Sequence, residues 1–263
     1  MNQPFSTDDV ERYARHLVLR EIGGPGQQKL KAARVLVVGA GGLGSPAALY
    51  LAAAGVGVIG LCDPDTVALS NLQRQVLFTT GDVGALKVDA GRERLTSLNP
   101  MVQVEAHALA VTAENAAAVI AGYQLVLDGT DDFTSRFAIN AACVAAGIPL
   151  VSGAIARWTG QVGVFAGRPC YRCLIPETPT EAETCAAVGV VGALGGVIGA
   201  MMAMEAIKRI TGAGEDLTGR LLIYDALAAE TRTVRVGADP ACPVCSGGYS
   251  SSETAGPPGC SPT

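Results

Sequence analysis

The sequence has few of the residues on which several common protein functions depend. It contains two histidines, His16 and His107, and neither lies near a nucleophile motif. No G-x-S-x-G elbow and no H-E-x-x-H motif occurs, so histidine-dependent catalysis is poorly supported. Charged residues make up 16% of the chain, the net charge is -5, and Lys and Arg form no cluster. We therefore expect no nucleic-acid partner and no binding to an anionic membrane.

Signals for export and for membrane insertion are also weak. Residues 1–10 are polar and acidic and offer no positively charged lead into an apolar segment, which predicts a cytoplasmic protein. Residues 186–204 carry no charge and reach the length of a membrane span, but they are rich in glycine and alanine. Small residues favour close helix packing, so we predict a buried or interface helix there. The 49% of hydrophobic residues supplies ample material for a globular core.

Residues 34–65 contain the pattern of a nucleotide site. A short apolar, β-branched run suits a strand buried on both faces, and it stops at Gly39. Gly39, Gly41 and Gly44 match G-x-G-x-x-G, which permits a tight turn, approach of the backbone to a phosphate, and close packing of the next helix. Asp63 follows a second strand at the distance where a carboxylate hydrogen-bonds a ribose hydroxyl. The motif predicts a bound nucleotide and leaves both NAD and ATP open.

The hydrophobic pattern repeats strand and helix several times. Strands are predicted at 34–38, 58–62, 101–109 and 125–128, and helices at 8–20, 27–33, 42–54, 84–98, 113–121 and 133–146. Later strands, at 149–154, 161–165, 221–224 and 231–236, read as antiparallel pairs. The fold class is therefore α/β: a Rossmann-like doubly wound sheet whose parallel N-terminal half is extended by antiparallel strands.

Polar residues gather at the carboxyl edge of this predicted sheet, where open sheets bind ligands. They are Asp63, Asn71, Arg74, Lys87 and Asp131, with Ser70 capping a short helix on which Asn71 and Arg74 share a face. Cations for phosphates and an acid for magnesium form a phosphate clamp. An NAD-dependent oxidoreductase is the alternative that Asp63 and the glycines allow. Arg74, Lys87 and Asp131 argue against it, because hydride transfer needs no triphosphate clamp.

Four of the eight cysteines form two C-x-x-C pairs, Cys170 with Cys173 and Cys242 with Cys245. Two such pairs separated by a long insertion are typical of a tetrahedral structural zinc site, although redox disulfides or coincidence are alternatives. Four thiolates leave no open coordination position. We therefore expect Zn²⁺ to stabilise the second half of the fold and to take no part in catalysis.

Six segments together carry a family resemblance. VGAGGLG, DPDTVALSNLQRQ, VGALKV, DGTDDF, CYRC and CPVC resemble, in order and spacing, the bacterial ubiquitin-activating-like adenylyltransferases that serve molybdopterin synthase and thiamine thiazole synthesis. In that family a homodimer uses Mg-ATP to adenylate the C-terminal glycine of a small ubiquitin-fold sulfur carrier that ends in Gly-Gly. Sulfur then replaces AMP to give a thiocarboxylate. The resemblance implies an adenylyltransferase domain over residues 1–246, and the Ser-, Gly- and Pro-rich residues 247–263 are predicted to be a disordered tail.

The resemblance also implies roles for individual residues. The backbone of Gly42 and the side chains of Asp63, Ser70, Asn71, Arg74, Lys87, Asp131 and Asp132 would form the nucleotide site, with Asp131 on Mg²⁺. Arg15 would reach the phosphates of the neighbouring subunit, and Cys185 matches a cysteine that some members use in sulfur transfer or acyl attachment. Asp132 stands where the family commonly has Asn. We expect it to cap the next helix; metal binding and slightly weaker triphosphate binding are the alternatives. A carrier-binding scaffold without chemistry is the remaining alternative function.

Overall fold

A computed structural model of the chain describes residues 5–178 and 189–247. The strands in this part are β1 Arg34–Val38, β2 Val58–Cys62, β3 Gln103–His107, β4 Leu125–Asp128, β5 Leu150–Ala156, β6 Thr159–Phe165, β7 Arg220–Asp225 and β8 Glu230–Arg235. The α-helices are α1 Thr7–Arg12, α2 Ala14–Leu17, α3 Gly23–Ala32, α4 Gly44–Ala53, α5 Lys87–Leu98, α6 Ala116–Ile120, α7 Phe133–Ala146, α8 Tyr171–Leu174 and α9 Gly192–Thr211. Most predicted elements are present with shifted ends. The predicted tail lies outside the described residues from residue 248 onward, so the division into domain and tail stays a prediction.

The eight strands form one sheet in the order β3-β2-β1-β4-β5-β6-β7-β8. Strands β1 to β5 pair in parallel, whereas β5, β6, β7 and β8 pair antiparallel. The predicted α/β architecture is therefore confirmed. The strand order reverses direction at β1 and β4. In open α/β sheets the crevice at the carboxyl ends of such strands is where ligands bind.

Strand β1 is buried on both faces, as its apolar run predicts. Val35 and Val37 join a core cluster with helices α4, α5 and α9, whereas Leu36 and Val38 join a second cluster with α6 and α7. Side chains alternate between the two faces of a strand, so each face of β1 contacts a different helix layer. This enclosure fixes where β1 ends and where the glycine turn begins.

The single helix predicted over residues 8–20 is wrong. Helix α1 ends at Arg12 and α2 begins at Ala14, because Tyr13 leaves helical geometry with φ -100° and ψ 14°. Tyr13 is buried, and its hydroxyl accepts a hydrogen bond of 2.8 Å from Asn99 Nδ2. A contact with a residue far along the chain therefore overrides the local helical pattern.

The helix predicted over residues 27–33 begins earlier than expected. Residues 21–28 are predicted from the sequence to interrupt the helical pattern, yet α3 starts at Gly23. Pro25 lies in the first turn, where a backbone N–H has no partner within the helix and its absence costs little.

Helix α5 begins at Lys87, three residues after the predicted start at 84, which makes Lys87 its first residue.

Helix α9 covers residues 192–204 of the uncharged run. It extends to Thr211 with Lys208 and Arg209 in its last turn, and Gly212 ends it in the left-handed conformation. Nine of its residues are buried, which agrees with the predicted buried helix. Across residues 5–178 and 189–247, no helix combines the length and apolar character needed to cross a membrane.

Two glycines of α9 permit a matched test of how this helix packs on the glycine turn. A Cβ on Gly199 would overlap the Leu43 carbonyl oxygen and Pro46, whereas a Cβ on Gly196 would meet nothing within 4 Å. We expect Gly199→Ala to lower the free energy of unfolding by about 1–3 kcal/mol through overpacking. Gly196→Ala should raise it by about 0.5–1 kcal/mol, because alanine loses less backbone entropy in a helix. Urea unfolding measures both; equal effects would contradict the packing.

Candidate active site

A cavity of about 620 Å³ lies at the carboxyl ends of β1, β2 and β4. Small-molecule sites commonly have volumes of this order. Its lining includes seven residues from the predicted nucleotide site: Gly42, Asp63, Asn71, Arg74, Lys87, Asp131 and Asp132. The fold thus brings together residues that are far apart in the sequence, at the sheet edge where they were expected.

The glycine turn has the close contacts that its motif predicts. Gly39 has a φ of +86°, a conformation that favours glycine, and its N–H donates to the Cys62 carbonyl at 2.8 Å. A Cβ on Gly44 would overlap the Gly39 carbonyl oxygen, so α4 can begin against the turn only with glycine at that position. Ala40 N–H donates to Asp63 Oδ2 at 2.8 Å, which fastens the turn to the end of β2.

Asp63 and Lys87 form a buried ion pair in the cavity wall. Lys87 Nζ lies 3.5 Å from Asp63 Oδ1, and each side chain is 6% exposed. The same ammonium lies 2.8 Å from Asp65 Oδ2, whose side chain is 64% exposed. Burial raises the pKa of Asp63 above its usual value, although the Lys87 charge and N–H donors from Asp65 and Ala40 lower it. Lys87 therefore helps to keep the Asp63 carboxylate ionised.

Asn71 and Arg74 occupy the segment after β2. A 3-10 helix spans Leu69–Asn71, and Arg74 N–H donates to the Asn71 carbonyl at 3.1 Å, so both residues line one side of the cavity. The predicted cap at Ser70 is wrong: Ala68 precedes this helix, and Ser70 lies inside it and exposed. The short 3-10 turn moves the cap position two residues toward the N-terminus. Ser70 contributes its carbonyl, 3.4 Å from Arg74 Nη1, and does not line the cavity.

The loop that carries Asp131 is fixed by a buried pair of charges. Asp128 Oδ1 accepts bonds from Thr130 N–H at 3.0 Å and from Thr130 Oγ1 at 2.6 Å. Arg136 Nη1 lies 3.5 Å from Asp128 Oδ2, and Arg136 Nη2 donates to the carbonyls of Thr130 and Gly153. These bonds hold the backbone next to Asp131, whose side chain remains exposed at the cavity.

Arg136 is a residue that the sequence analysis did not single out. It is 5% exposed and is the fourth residue of α7, a helix of mixed composition in which a buried arginine resembles a solvent-facing one. A signal was available in its spacing from Asp132, because residues four apart lie on one helix face. Asp132 itself is the N-cap of α7, and Ser135 N–H donates to its Oδ1 at 2.8 Å. The predicted cap is thus confirmed.

Cys62 also lines the cavity, and its chemistry is that of a buried thiol. Burial and the adjacent Asp63 charge raise the pKa of Cys62 to about 12. The sulfur donates to the Leu109 carbonyl at 3.4 Å. Because the thiolate is the nucleophilic form, Cys62 is unsuited to a sulfur-transfer step at neutral pH.

The two cysteine pairs converge on one point behind the active-site helices. Sγ of Cys170 and Cys242 are 3.6 Å apart, those of Cys173 and Cys245 are 3.4 Å apart, and all four lie within 4.8 Å of one another. Tetrahedral Zn²⁺ with bonds of about 2.3 Å requires sulfur separations of about 3.8 Å. The donor set and its spacing therefore fit zinc.

An asparagine on α7 joins this helix to the cysteine cluster. Asn140 Nδ2 donates to Cys170 Sγ at 3.6 Å, and Asn140 Oδ1 accepts from Tyr171 N–H at 2.9 Å. Such outer-shell bonds orient metal ligands. The sequence analysis missed Asn140, because only the folded chain brings α7 next to the first cysteine pair.

Other residues from the sequence analysis lie away from the cavity. Arg15 is exposed on α2, and within the described chain it does not line the cavity. Cys185 falls outside the described residues. His16 Nδ1 contacts Gln27 Oε1 at 2.9 Å, and His107 Nε2 contacts the Tyr123 hydroxyl at 2.8 Å.

Comparisons with known proteins agree with this geometry. The sequence profile of the ThiF family matches residues 13–244. The chain belongs to the ThiF family. The sulfur carrier protein adenylyltransferase of Thermus thermophilus is 47% identical over 250 residues, covering 92% of each chain. The molybdopterin-synthase adenylyltransferase of Escherichia coli is 47% identical over 245 residues, covering 92% of this chain and 98% of the relative.

A solved structure of a more distant protein has a similar fold. The crystal structure of Escherichia coli MccB with MccA-N7isoASN matches 92% of this chain and 75% of MccB, with a TM-score of 0.79 and 24% sequence identity. At that identity the match supports the fold alone. Some ThiF-family relatives at 47% identity are longer, and this chain spans 63% of their length.

Proposed function

We propose that this ThiF-family protein is an adenylyltransferase that uses ATP to adenylate the C-terminal glycine of a small ubiquitin-fold sulfur carrier ending in Gly-Gly. The observation that carries the proposal is the joint placement of Asp63, Arg74, Lys87 and Asp131 around one cavity beside the glycine turn. Two cations beside a turn that admits phosphate suit a nucleotide triphosphate. An NAD-dependent oxidoreductase would not need these phosphate-binding residues, because hydride transfer requires no triphosphate clamp.

The nucleotide would lie along the glycine turn. The N-terminus of α4, which begins at Gly44, is the positive end of the helix dipole and therefore attracts phosphate. Asp63 would accept from a ribose hydroxyl, since a carboxylate oxygen has lone pairs beyond those that Ala40 and Asp65 use. Asn71, Arg74 and Lys87 would contact the phosphates. Asp131 offers the oxygen donor that Mg²⁺ prefers, and this ion supplies charge neutralisation at the phosphates when bound.

The reaction at this site is a nucleotidyl transfer. A carboxylate oxygen of the carrier's terminal glycine forms a bond to the α-phosphorus of ATP, and the bond from that phosphorus to pyrophosphate breaks. Lys87 and Arg74 stabilise the negative charge that develops on the phosphate oxygens. The product is an acyl adenylate, whose AMP a sulfur nucleophile later displaces. Cys185 would belong to that later step, since forming the adenylate requires no thiol.

A homodimer would complete the site. Arg15 is exposed and lies outside the cavity of its own chain, so a phosphate contact requires the cavity of a second subunit. Val18 and Leu19, next to the same helix, are 76% and 45% exposed. Exposed apolar side chains next to Arg15 support the proposal that a partner chain buries this segment.

The identity of the carrier is open to direct test. Similar relatives take their names from a sulfur carrier and from molybdopterin synthase at the same 47% identity. Incubating the protein with carriers from the molybdopterin, thiamine, cysteine and tRNA thiolation pathways, and measuring carrier-dependent exchange of pyrophosphate into ATP, would identify its partner. Exchange with none of them would contradict the proposed function.

We expect Asp131→Asn to reduce this exchange by on the order of a hundredfold or more, because one preorganised charge at the phosphates is lost. Glu93→Gln is a matched control: Glu93 is exposed on α5 and does not line the cavity. Circular dichroism should show both variants folded. Exchange by Asp131→Asn within a few-fold of the control would remove Asp131 from the site.

The cysteine cluster should contain zinc in the native protein. Cys173→Ser should lower both the zinc content and the melting temperature, because metal binding contributes directly to folding in such sites. Cys143→Ser is the control, since Cys143 is a buried cysteine of α7 outside the cluster. Elemental analysis of the purified proteins measures zinc. Native protein without zinc, or equal zinc loss in both variants, would refute the assignment.

Mixing two inactive variants tests whether Arg15 acts in trans. Arg15→Ala and Asp131→Ala homodimers should both be nearly inactive, because one lacks a phosphate cation and the other a metal ligand. A mixed dimer has one intact site, formed by Asp131 of one chain and Arg15 of the other. Random pairing should restore about a quarter of wild-type activity per subunit in a twofold-symmetric assembly. No recovery in dimers shown to be mixed would mean that Arg15 acts within its own chain or not at all.

A further inference from the structure

The ammonium of Lys87 already has two anionic partners in the protein. Asp65 Oδ2 lies 2.8 Å from Nζ, and Asp63 Oδ1 lies 3.5 Å from it. If Lys87 binds a nucleotide phosphate, as the proposed function requires, at least one of these contacts must weaken. The structure distinguishes which one.

Asp63 is fixed in its position by several bonds. Its Oδ2 accepts from Ala40 N–H at 2.8 Å, and its Oδ1 accepts from Asp65 N–H at 2.9 Å. Moving Asp63 would therefore release the glycine turn. Its side chain is also 6% exposed, so water could not replace the lost partners.

Apart from the Lys87 ammonium, the contacts of Asp65 within the described residues run through its backbone. Lys87 N–H donates to the Asp65 carbonyl at 3.0 Å, and Thr66 and Leu86 form an isolated antiparallel bridge beside it. The two backbones therefore remain adjacent whichever way the Asp65 side chain points. With 64% of that side chain exposed, its carboxylate can turn into water at small cost.

We infer that Asp65 is a positioning residue that stands in for a nucleotide phosphate while the cavity is empty. Its carboxylate neutralises the buried ammonium and keeps Nζ directed into the cavity, and an arriving phosphate displaces it. When the phosphates leave, Asp65 recaptures Lys87. The inference rests on the proposed function, since it takes ATP as the ligand of this cavity.

The role predicts a gain of affinity when the competing charge is removed. Asp65→Asn should bind ATP about twofold to fivefold more tightly, a change in keeping with the loss of one exposed ion pair. The gain should diminish from ATP to ADP to AMP and vanish for adenosine, because adenosine brings no phosphate to Lys87. Asp65→Glu, which keeps the charge, should return the dissociation constant for ATP toward that of the wild type.

Asp89→Asn is the matched control for a general charge effect. Asp89 lies two residues beyond Lys87 in α5, carries the same charge, and pairs with Arg92 at 2.9 Å. Isothermal titration calorimetry with the four ligands should leave this variant close to wild type. The graded gain in Asp65→Asn alone supports the inference.

Three results would overturn it while the proposed function stands: weaker ATP binding by Asp65→Asn, an equal gain with adenosine, or the same gain in Asp89→Asn. Weaker binding would make Asp65 part of the nucleotide site itself, and an equal gain with adenosine would indicate a change in cavity shape. Wild-type protein that binds none of the phosphorylated ligands would overturn the proposed function together with the inference.

Discussion

The bond from Ala40 N–H to Asp63 is the constraint on which the candidate site depends. It ties the turn after β1 to the end of β2, and the same carboxylate pairs with Lys87 at the start of α5. One buried side chain thus sets the relative positions of the glycine turn, the end of β2 and the start of α5. Burial raises the pKa of Asp63, whereas the N–H donors of Ala40 and Asp65 and the charge of Lys87 lower it and so favour the ionised carboxylate. The geometry of the site and the proposed binding of a nucleotide therefore both depend on the Asp63 carboxylate.

Helix α7 connects the active-site loop to the cysteine cluster. Asp132 caps the helix, Arg136 bonds the loop and β5, and Asn140 bonds Cys170. Residues spaced by four lie along one helix face, so these three contacts follow one another along α7. The cluster therefore contacts the helix that follows the loop of Asp131, so a structural metal in the cluster would have a physical link to the site without a catalytic role.

Much of the fold and site could be predicted because the signals are local or repeated. The glycine spacing predicts a turn between a strand and a helix. The C-x-x-C spacing occurs twice, and this repetition predicts a site with four cysteine ligands. Arg136 and Asn140 escaped prediction because their partners lie on other elements. Tyr13 shows the same limit: its buried hydroxyl contact with Asn99 breaks a helix that the local pattern favours. For Arg15, spacing within one chain contains no information about a second chain.

The charges around the cavity indicate that binding of a triphosphate would require additional positive charge. Among the described residues, four lining carboxylates, Asp63, Asp65, Asp131 and Asp132, face two lining cations, Arg74 and Lys87. A third lining cation, Arg136, is already paired with Asp128. A further phosphate group adds negative charge to a wall that is already negative, so Coulomb repulsion opposes binding unless positive charge arrives from outside. A divalent ion at Asp131 and an arginine from a second subunit would supply it. The balance of charge in the wall calls for added positive charge, and Mg²⁺ and Arg15 of a second subunit are the proposed sources.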